Sequence, residues 1–355
     1  MLSQPPHAKR GVMQEQAVNR FYSDERTRGR VRGAINEYLG FFDESNGGSV
    51  KARQAGYTTM INHYYDLVTD FYEHGWAKSF HFAPRFKGES FAASLARSEH
   101  SFALKLGLKP GMKVLDVGCG VGGPMRSIAR FSGATIEGVN NNDYQLSKVQ
   151  QYNEEAGLAS RCSGFKGDFM NLQVPDENYD AAYAFEATCH APDKAGVFEE
   201  IHRTLKPGGL FAAYEWCMTS KFDPKSAEHL QTKKGIEEGD SLPDIASIPE
   251  TLDALRAAGF EVLESHDAAG TCDPETPWYL PLVGETESLM SLRRGRPGRF
   301  LARRTIRTLE ALRIAPKGST EVSRMLGAAA ESLIKGGELG IFTPNYFFLA
   351  RRPTR

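Results

Sequence analysis

Two hydrophobic periodicities succeed one another along the chain. From Gln54, Tyr57, Met60, Ile61, Tyr64, Tyr65, Leu67, Val68 and Phe71 recur at roughly helical spacing. Phe91, Leu95, Phe102 and Leu106 then mark one face of an amphipathic helix over Phe91–Leu106, which Lys109-Pro110-Gly111 ends. Short apolar runs of strand length follow, at Lys113–Val117, Thr135–Asn140, Ser163–Gly167, Tyr179–Phe185 and Leu210–Trp216. Helical stretches separate them. One starts at Asp143, a plausible N-cap, and stops at Gly157; another spans Asp193–Leu205, with Val197, Phe198, Ile201 and Leu205 facing inward and Lys206-Pro207-Gly208-Gly209 as the return turn. Past Trp216 the alternation thins to a short helix, Glu250–Ala258, a sixth strand, Phe260–Ser265, an insertion, Asp267–Asn345, and a last strand, Tyr346–Ala350. Strands alternating with helices predict an α/β fold with a doubly wound, parallel sheet, here seven-stranded. Residues 1–53 read as a flexible lead-in to a helix or two, 54–265 as the core with a pocket region at its start, and 266–355 as an α-rich C-terminal region.

The stretch KVLDVGCGVGGP, Lys113 to Pro124, joins the first strand to a helix through a glycine-rich turn. Gly118, Gly120, Gly122 and Gly123 permit a sharp turn and close approach of a ligand to the backbone. The following helix, Met125–Phe131, would aim its free N–H groups at that ligand. The spacing of Gly118, Gly120 and Gly123 also satisfies a dinucleotide fingerprint. Two residues argue against it. The Asp116 carboxylate would repel a pyrophosphate but hold the ammonium of S-adenosylmethionine, and the second strand ends in Asn140 where such folds place an acid for the ribose. S-adenosylmethionine is therefore the favoured ligand, with NAD as the alternative. Asp168, just past the third strand, is positioned for the adenine or its neighbours, and equally for capping the next turn.

Tyr64 to Phe82 is densely aromatic, and Asp66, Asp70, Glu73, His74 and His81 are interleaved with its rings. Such a stripe suits a helix core; with these acids and histidines it also suits a pocket for a large apolar ligand that develops positive charge. Glu186, Cys189 and His190 follow the fourth strand, and Tyr214, Glu215 and Trp216 end the fifth, so both clusters fall on the rim that carries the glycine turn. A basic run, Arg293 to Arg307, contains Phe300, Leu301 and Ile306 among its arginines. It is compatible with rest on an anionic membrane surface, with solvent, or with a second subunit.

A formal net charge of −1 with 25% charged residues gives no bulk attraction to nucleic acid. The five cysteines lack paired metal spacing and read as reduced thiols of an intracellular protein. No run of about 18 apolar residues occurs, so no membrane-spanning helix is expected.

Seven stretches together resemble the sterol C-24 methyltransferases over about Tyr64 to Arg352. They are YEHGWAKSFHF at Tyr72, LDVGCGVGGP at Leu115, EGVNNNDYQ at Glu137, FEATCHAP at Phe185, LKPGG at Leu205, YEWCMT at Tyr214 and IEEGDSLP at Ile236; the end, GELGIFTPNYFFLARRP, is similar too. The glycine motif and LKPGG are shared by many S-adenosylmethionine methyltransferases; the Tyr72, Phe185 and Tyr214 stretches and the C-terminal GELGIFTPNYFFLARRP are specific. The resemblance implies a Rossmann-like methyltransferase fold whose C-terminal insertion helps form a lipid pocket. It implies methyl transfer from S-adenosylmethionine to carbon 24 of a sterol side chain in sterol biosynthesis, through a carbocation that aromatic faces shelter without capturing. Tyr72, Glu73, Trp76 and His81 would belong to the sterol pocket, with Glu186, His190, Glu215 and Glu237 as further acidic or basic partners. Asp116, Gly118, Gly120, Gly122, Asn140, Asp143 and Asp168 would hold the cofactor. A buried carboxylate or His190 would take the final proton, and no metal is implied. A homo-oligomer in peripheral contact with a membrane, the endoplasmic reticulum or lipid droplets in a eukaryote, is implied as well. Two departures stand out: His74 and Ala77 replace a tyrosine and a glycine, and Ser98 replaces the histidine of a His-Glu pair that ends in Glu99. Alternatives from other classes are a methyltransferase acting on another prenyl lipid or a lipid amine, and an inactive lipid-binding protein of this fold.

Overall fold

The computed structural model describes residues 25–283, 296–312 and 318–354. The apolar runs are strands of one sheet: β1 (Lys113–Val117), β2 (Thr135–Asn140), β3 (Cys162–Lys166), β4 (Tyr179–Phe185), β5 (Leu205–Met218), β6 (Glu261–Asp267) and β7 (Phe342–Arg351). Their order is β3-β2-β1-β4-β5-β7-β6. The helices longer than a single turn are α1 (Glu25–Gly40), α2 (Val50–Ala55), α3 (Tyr57–Trp76), α4 (Phe91–Lys105), α5 (Gly123–Ser132), α6 (Asp143–Glu155), α7 (Lys194–Thr204), α8 (Ala227–Asp240), α9 (Ile248–Ala257), α10 (Arg296–Ala311) and α11 (Ser319–Leu339).

Strands buried on both faces need helices on both faces. Phe102 of α4, Met125 and Ile128 of α5 and Val149 of α6 cover one side, against Val114, Ile136 and Tyr183. Val197, Phe198 and Ile201 of α7 and Leu255 of α9 cover the other, against Leu115, Val117 and Phe211. β1 to β5 pair in parallel, as expected, but β7 is antiparallel to both β5 and β6. The cause is where the chain re-enters. α11 stops at Gly340 in the left-handed conformation, and β7 opens with Phe342 beside Met218, the last residue of β5. A strand entering at the rim where its neighbour ends can only run back.

Helix starts are set by local capping. Asn142, not Asp143, caps α6, its side chain accepting from the Gln145 N–H. Ser247 and Glu250 form a reciprocal capping box that starts α9 at Ile248, ahead of Glu250. In the stretch expected to be flexible, residues 1–24 lie outside the described part, but α1 and α2 are docked. Tyr38 is fully buried, its ring 5.6 Å from that of Tyr64, and Arg53 donates to the Pro243 carbonyl at 2.8 Å. Few apolar residues sufficed, because they face one way. In the basic run, Arg293–Gly295 lie outside the described residues. The rest is α10, whose Phe300 and Leu301 are exposed while Ile306 turns toward the cavity described below.

α3 lies along α6 through a polar seam: Asp66 accepts from Asn142, Asp70 from Tyr144, and Glu73 from Lys148 and, at 2.6 Å, from Tyr152. Its opposite side faces the C-terminal helices. α3 ends at Ala77, which adopts φ 59°, ψ −129°, a conformation natural to glycine. The bend turns the chain from α3 across the glycine loop, and a residue with a Cβ holds it at a cost of about 1–3 kcal/mol.

Two outcomes follow from this geometry. Ala77→Gly should raise stability by about 1 kcal/mol, once the entropy cost of glycine is deducted, read as a higher denaturant midpoint; an equal or lower midpoint would show the bend to be unstrained. Glu73→Gln should lower stability by about 1–3 kcal/mol, because Lys148 and Tyr152 lose a charged acceptor in a largely covered seam.

Candidate active site

The site grows from the turn after β1. Gly118 lies at φ 76°, and a Cβ there would stand 2.4 Å from that of Ala187, so the loop after β4 is pressed against it. A Cβ at Gly123 would come within 1.9 Å of the Lys78 carbonyl oxygen. The segment after α3 therefore crosses the glycine loop backbone to backbone. α5 begins beyond Gly122 with no side chain capping its first N–H groups. Such a helix start between close walls is a cradle for a polar ligand.

The predicted cofactor residues divide around this cradle. Asp116 is buried at the end of β1 and accepts from the Tyr183 hydroxyl at 2.9 Å; burial pushes its carboxyl up to about 7, with Tyr183 pulling the other way. Asn140 braces the loop: its Nδ2 donates to the Gly120 carbonyl at 3.1 Å and to Gln145 Oε1 at 2.8 Å, and its Oδ1 accepts from the Asn142 N–H. Asp168 takes the Tyr57 hydroxyl and, at 2.8 Å, the Met170 N–H, so it caps its turn while standing at the rim. Asp143 is not brought to the cradle. It is exposed on α6 and paired with Lys166.

An apolar cavity opens beside the cradle. Tyr72, Trp76, His81, Glu186 and His190 line it, as do Tyr65, Phe80, Phe82, Cys189 and Trp216. Leu326, Ala330 and Leu333 of α11 and Ile306 of α10 close the far side. Phe80 joins the two spaces: it lines the cavity, and its ring lies 3.8 Å from where a Cβ of Gly120 would stand. The rings of Trp76 and Phe82 meet edge to face at 5.5 Å, as do those of Tyr72 and Phe80 at 5.5 Å. No lysine or arginine lines the cavity among the described residues.

Glu186 sits at φ 54° and its carboxylate collects three N–H donors: Phe82 N at 2.6 Å, Trp216 Nε1 at 2.9 Å and Asn345 Nδ2 at 3.0 Å. Burial holds its carboxyl well above the usual range, with the three N–H donors opposing that shift by favouring the ionised form. His190 donates from Nδ1 to the Ser241 carbonyl at 3.0 Å, which leaves Nε2 to accept from the Tyr65 hydroxyl at 3.0 Å. Burial lowers this ring to about 4, so it is neutral at physiological pH. His81 stacks on Phe185 at 4.5 Å and reaches the Phe82 carbonyl with Nδ1 and Glu99 with Nε2. Burial works against the charge of Glu99, but His81, Ser127 and Ser79 outweigh it and hold the carboxyl below its usual range.

Three acids expected in the pocket are placed elsewhere. Glu73 belongs to the seam with α6. Glu215, fully buried, takes the Thr188 hydroxyl and Lys194 Nζ at 2.8 Å, behind the loop that follows β4. Glu237 is bonded to Arg53 at 3.1 Å and Lys233 at 3.0 Å. Each is neutralised by a cation, and none of them lines the cavity. Sequence reasoning missed Asp240, which does line it. The signal was present: Asp240 stands four residues after Ile236, a fully buried residue on the same face of α8.

The cradle and cavity fit S-adenosylmethionine. Gly118 and Gly123 let the Ala187 and Lys78 segments close as walls onto the turn ahead of the uncapped start of α5, and acids without a cation partner beside aromatic faces favour a cationic group over a pyrophosphate. Among the described residues no group of histidines, cysteines and acids could hold a metal ion, and no helix is long and apolar enough to cross a membrane.

Comparison with known proteins agrees. A family model described as the sterol methyltransferase C-terminal region matches residues 289–354, and one described as a methyltransferase domain matches residues 115–213. The chain is 54% identical over 308 residues to the cycloartenol-C-24-methyltransferase of Arabidopsis thaliana, covering 87% of this chain and 91% of that protein. It is 45% identical over 328 residues to the sterol 24-C-methyltransferase of Saccharomyces cerevisiae, covering 90% and 85%. In fold it is similar to the cyclopropane synthase MmaA2 of Mycobacterium tuberculosis, with TM-score 0.63 and 19% identity over 82% of this chain and 96% of that one. It is likewise similar to a geranyl diphosphate methyltransferase solved with GPP and sinefungin, with TM-score 0.61 and 16% identity over 83% and 99%. At the sequence level the match spans nearly the whole of both plant and fungal enzymes, and the chain belongs to the sterol C-24 methyltransferase family.

Proposed function

We propose that this protein transfers a methyl group from S-adenosylmethionine to carbon 24 of a sterol whose side chain carries a double bond between carbons 24 and 25. The observation that carries the reading is the shared wall: Phe80 lines the apolar cavity and abuts Gly120 of the cradle. A side chain lying in the cavity thus ends beside the methyl donor.

Gly118, Gly120 and Gly122, the start of α5, Asp116 and Asp168 would hold S-adenosylmethionine, which supplies the methyl group. The protein's own contributions are alignment and charge. An alkene is a weak nucleophile, so holding its carbons in line with the donor provides much of the acceleration. Methylation leaves a positive charge on the sterol side chain. The faces of Trp76, Tyr72, Phe80 and Phe82 attract that charge, and their carbons do not add to it readily. Glu186 supplies a negative field and, with its oxygens occupied by three N–H donors, is held back from bonding to the cation. His190, neutral and bonded through both nitrogens, adds a polar group without an opposing charge.

The exposed Phe300 and Leu301 of α10, with the exposed Arg304 and Arg307, support peripheral contact with a membrane from which a sterol is drawn. Ile306 on the same helix reaches the cavity.

Purified protein incubated with methyl-labelled S-adenosylmethionine and a panel of Δ24 sterols should place label on carbon 24, read by mass spectrometry. Label found only on nitrogen or oxygen acceptors would overturn the reading. Two substitutions should separate the halves of the site. Gly118→Ala should abolish binding of S-adenosylhomocysteine, because its Cβ meets Ala187. Trp76→Ala should leave that affinity within about twofold while cutting kcat/KM for the sterol about ten- to hundredfold, in line with a lost desolvated cation–π face and its packing. Loss of cofactor binding in both variants would contradict the division.

A further inference from the structure

The methylated side chain must lose a proton, and we infer that Asp240 is the group that takes it, an inference that rests on the sterol methyltransferase reading above. Asp240 is the last residue of α8 and lines the cavity with 8% of its surface exposed. Its Oδ1 accepts from the Tyr72 hydroxyl at 3.3 Å, while Oδ2 is buried and has no hydrogen-bond partner. A carboxylate at the C-terminal end of a helix meets the negative end of the dipole. No lysine or arginine is bonded to it among the described residues. Nothing in the fold gains from an acid here, in contrast to Glu73, Glu215 and Glu237, each of which receives a cation.

The groups around Asp240 leave it as the available acceptor. Tyr72 from α3 bonds to it, and the hydroxyls of Tyr38 from α1 and of Tyr64 and Tyr65 from α3, bonded to the Glu238 carbonyl, Tyr72 and His190, lie within electrostatic reach. From the stretch after β4 come Glu186, Cys189 and His190. Glu186 already accepts three N–H donors, and His190 is bonded through both nitrogens and lowered to about 4 by burial. Burial pushes Asp240 up to about 7, so its carboxylate form is populated near neutrality and binds a proton firmly enough to keep it during the turnover. Asp240 also lines the same cavity as Phe80, the ring that lies against Gly120 of the cradle.

The step balances as follows. The alkene π electrons form the bond from carbon 24 to the incoming methyl, leaving carbon 25 positive. A hydride moves from carbon 24 to carbon 25, which shifts the charge to carbon 24. A C–H bond of the transferred methyl then breaks; its electron pair becomes the double bond of a 24-methylene group, and the proton bonds to Oδ2. The neutral carboxyl releases it to solvent when product leaves, so the donor's positive charge departs as that proton.

The test is Asp240→Asn in the full chain, assayed with S-adenosylmethionine and a Δ24 sterol that the wild type methylates. Turnover should fall about a hundredfold or more, affinities for S-adenosylhomocysteine and for the sterol should stay within about twofold by calorimetry, and the residual product should shift toward a hydroxylated methyl sterol formed by water capture. Asp240→Glu should recover part of the turnover and the alkene product. The melting temperature should be equal or higher. The raised folded-state carboxyl stabilises the native protein fully below about pH 4, and that contribution disappears as pH rises through about 7. The Asn variant should therefore lose part of the decline in melting temperature across that window, with the part due to Asp116 remaining. Wild-type rate and alkene product in the Asn variant would overturn the assignment, as would sterol affinity falling in step with turnover at an unchanged product ratio, which would mark an anchor for the sterol. Failure of the wild type to methylate carbon 24 would instead defeat the underlying reading.

Discussion

Three parts of the chain far apart in sequence meet at the Glu186 carboxylate. The Phe82 amide comes from the segment that crosses the glycine loop, the Trp216 indole from the end of β5, and the Asn345 amide from β7. A carboxylate withdrawn from water costs several kcal/mol unless it is well bonded, so each donor is tied to the others through the group they share. The aromatic wall of Phe82 and Trp216, whose rings lie 6.3 Å apart, and the Asn345 position in β7 are held together by this convergence. The same carboxylate, with Asp240, then provides negative field in a cavity walled mainly by rings and aliphatic side chains. One interaction thus sets both the shape and the charge of the site.

The acids of this region fall into two classes by their partners. Those that fasten helices to the core have a cation: Glu73 has Lys148, Glu215 has Lys194, and Glu237 has Arg53 and Lys233. Those that line the cavity have only N–H or O–H donors: three for Glu186, and the Tyr72 hydroxyl for Asp240. A cation within reach would cancel the field a carbocation needs, whereas neutral donors orient the carboxylate and leave its charge uncompensated. His190 obeys the same logic by staying neutral.

Much of this was legible in the sequence. Strands β1, β2 and β4 could be placed to the residue because apolar runs of strand length bounded by turn or polar residues have one reading in a doubly wound fold. The rim that gathers Gly118, Glu186 and Trp216 followed from strand direction alone. What could not be read depended on long-range geometry. The reversed direction of β7 is decided by where α11 ends, not by any feature of Phe342–Arg351. The destination of Glu73 is decided by Lys148, a residue 75 positions away on α6. Composition within Tyr64–Phe82 showed that acids and rings were interleaved, but not that one side of α3 meets a helix and the other a cavity. Asp240 was hidden beside Glu237, since both are acids in a single short stretch and only the helical register separates them.

The central claim is that this cavity favours a positive charge on the sterol side chain. It is tested most directly by comparing two sterols of the same shape, one with a protonated amine at carbon 25 and one with a neutral carbon there, in calorimetric titrations with S-adenosylhomocysteine present. Rings and unpaired carboxylates arranged for a cation predict that the amine binds at least about tenfold more tightly. Equal affinity, or weaker binding of the charged sterol, would contradict the account.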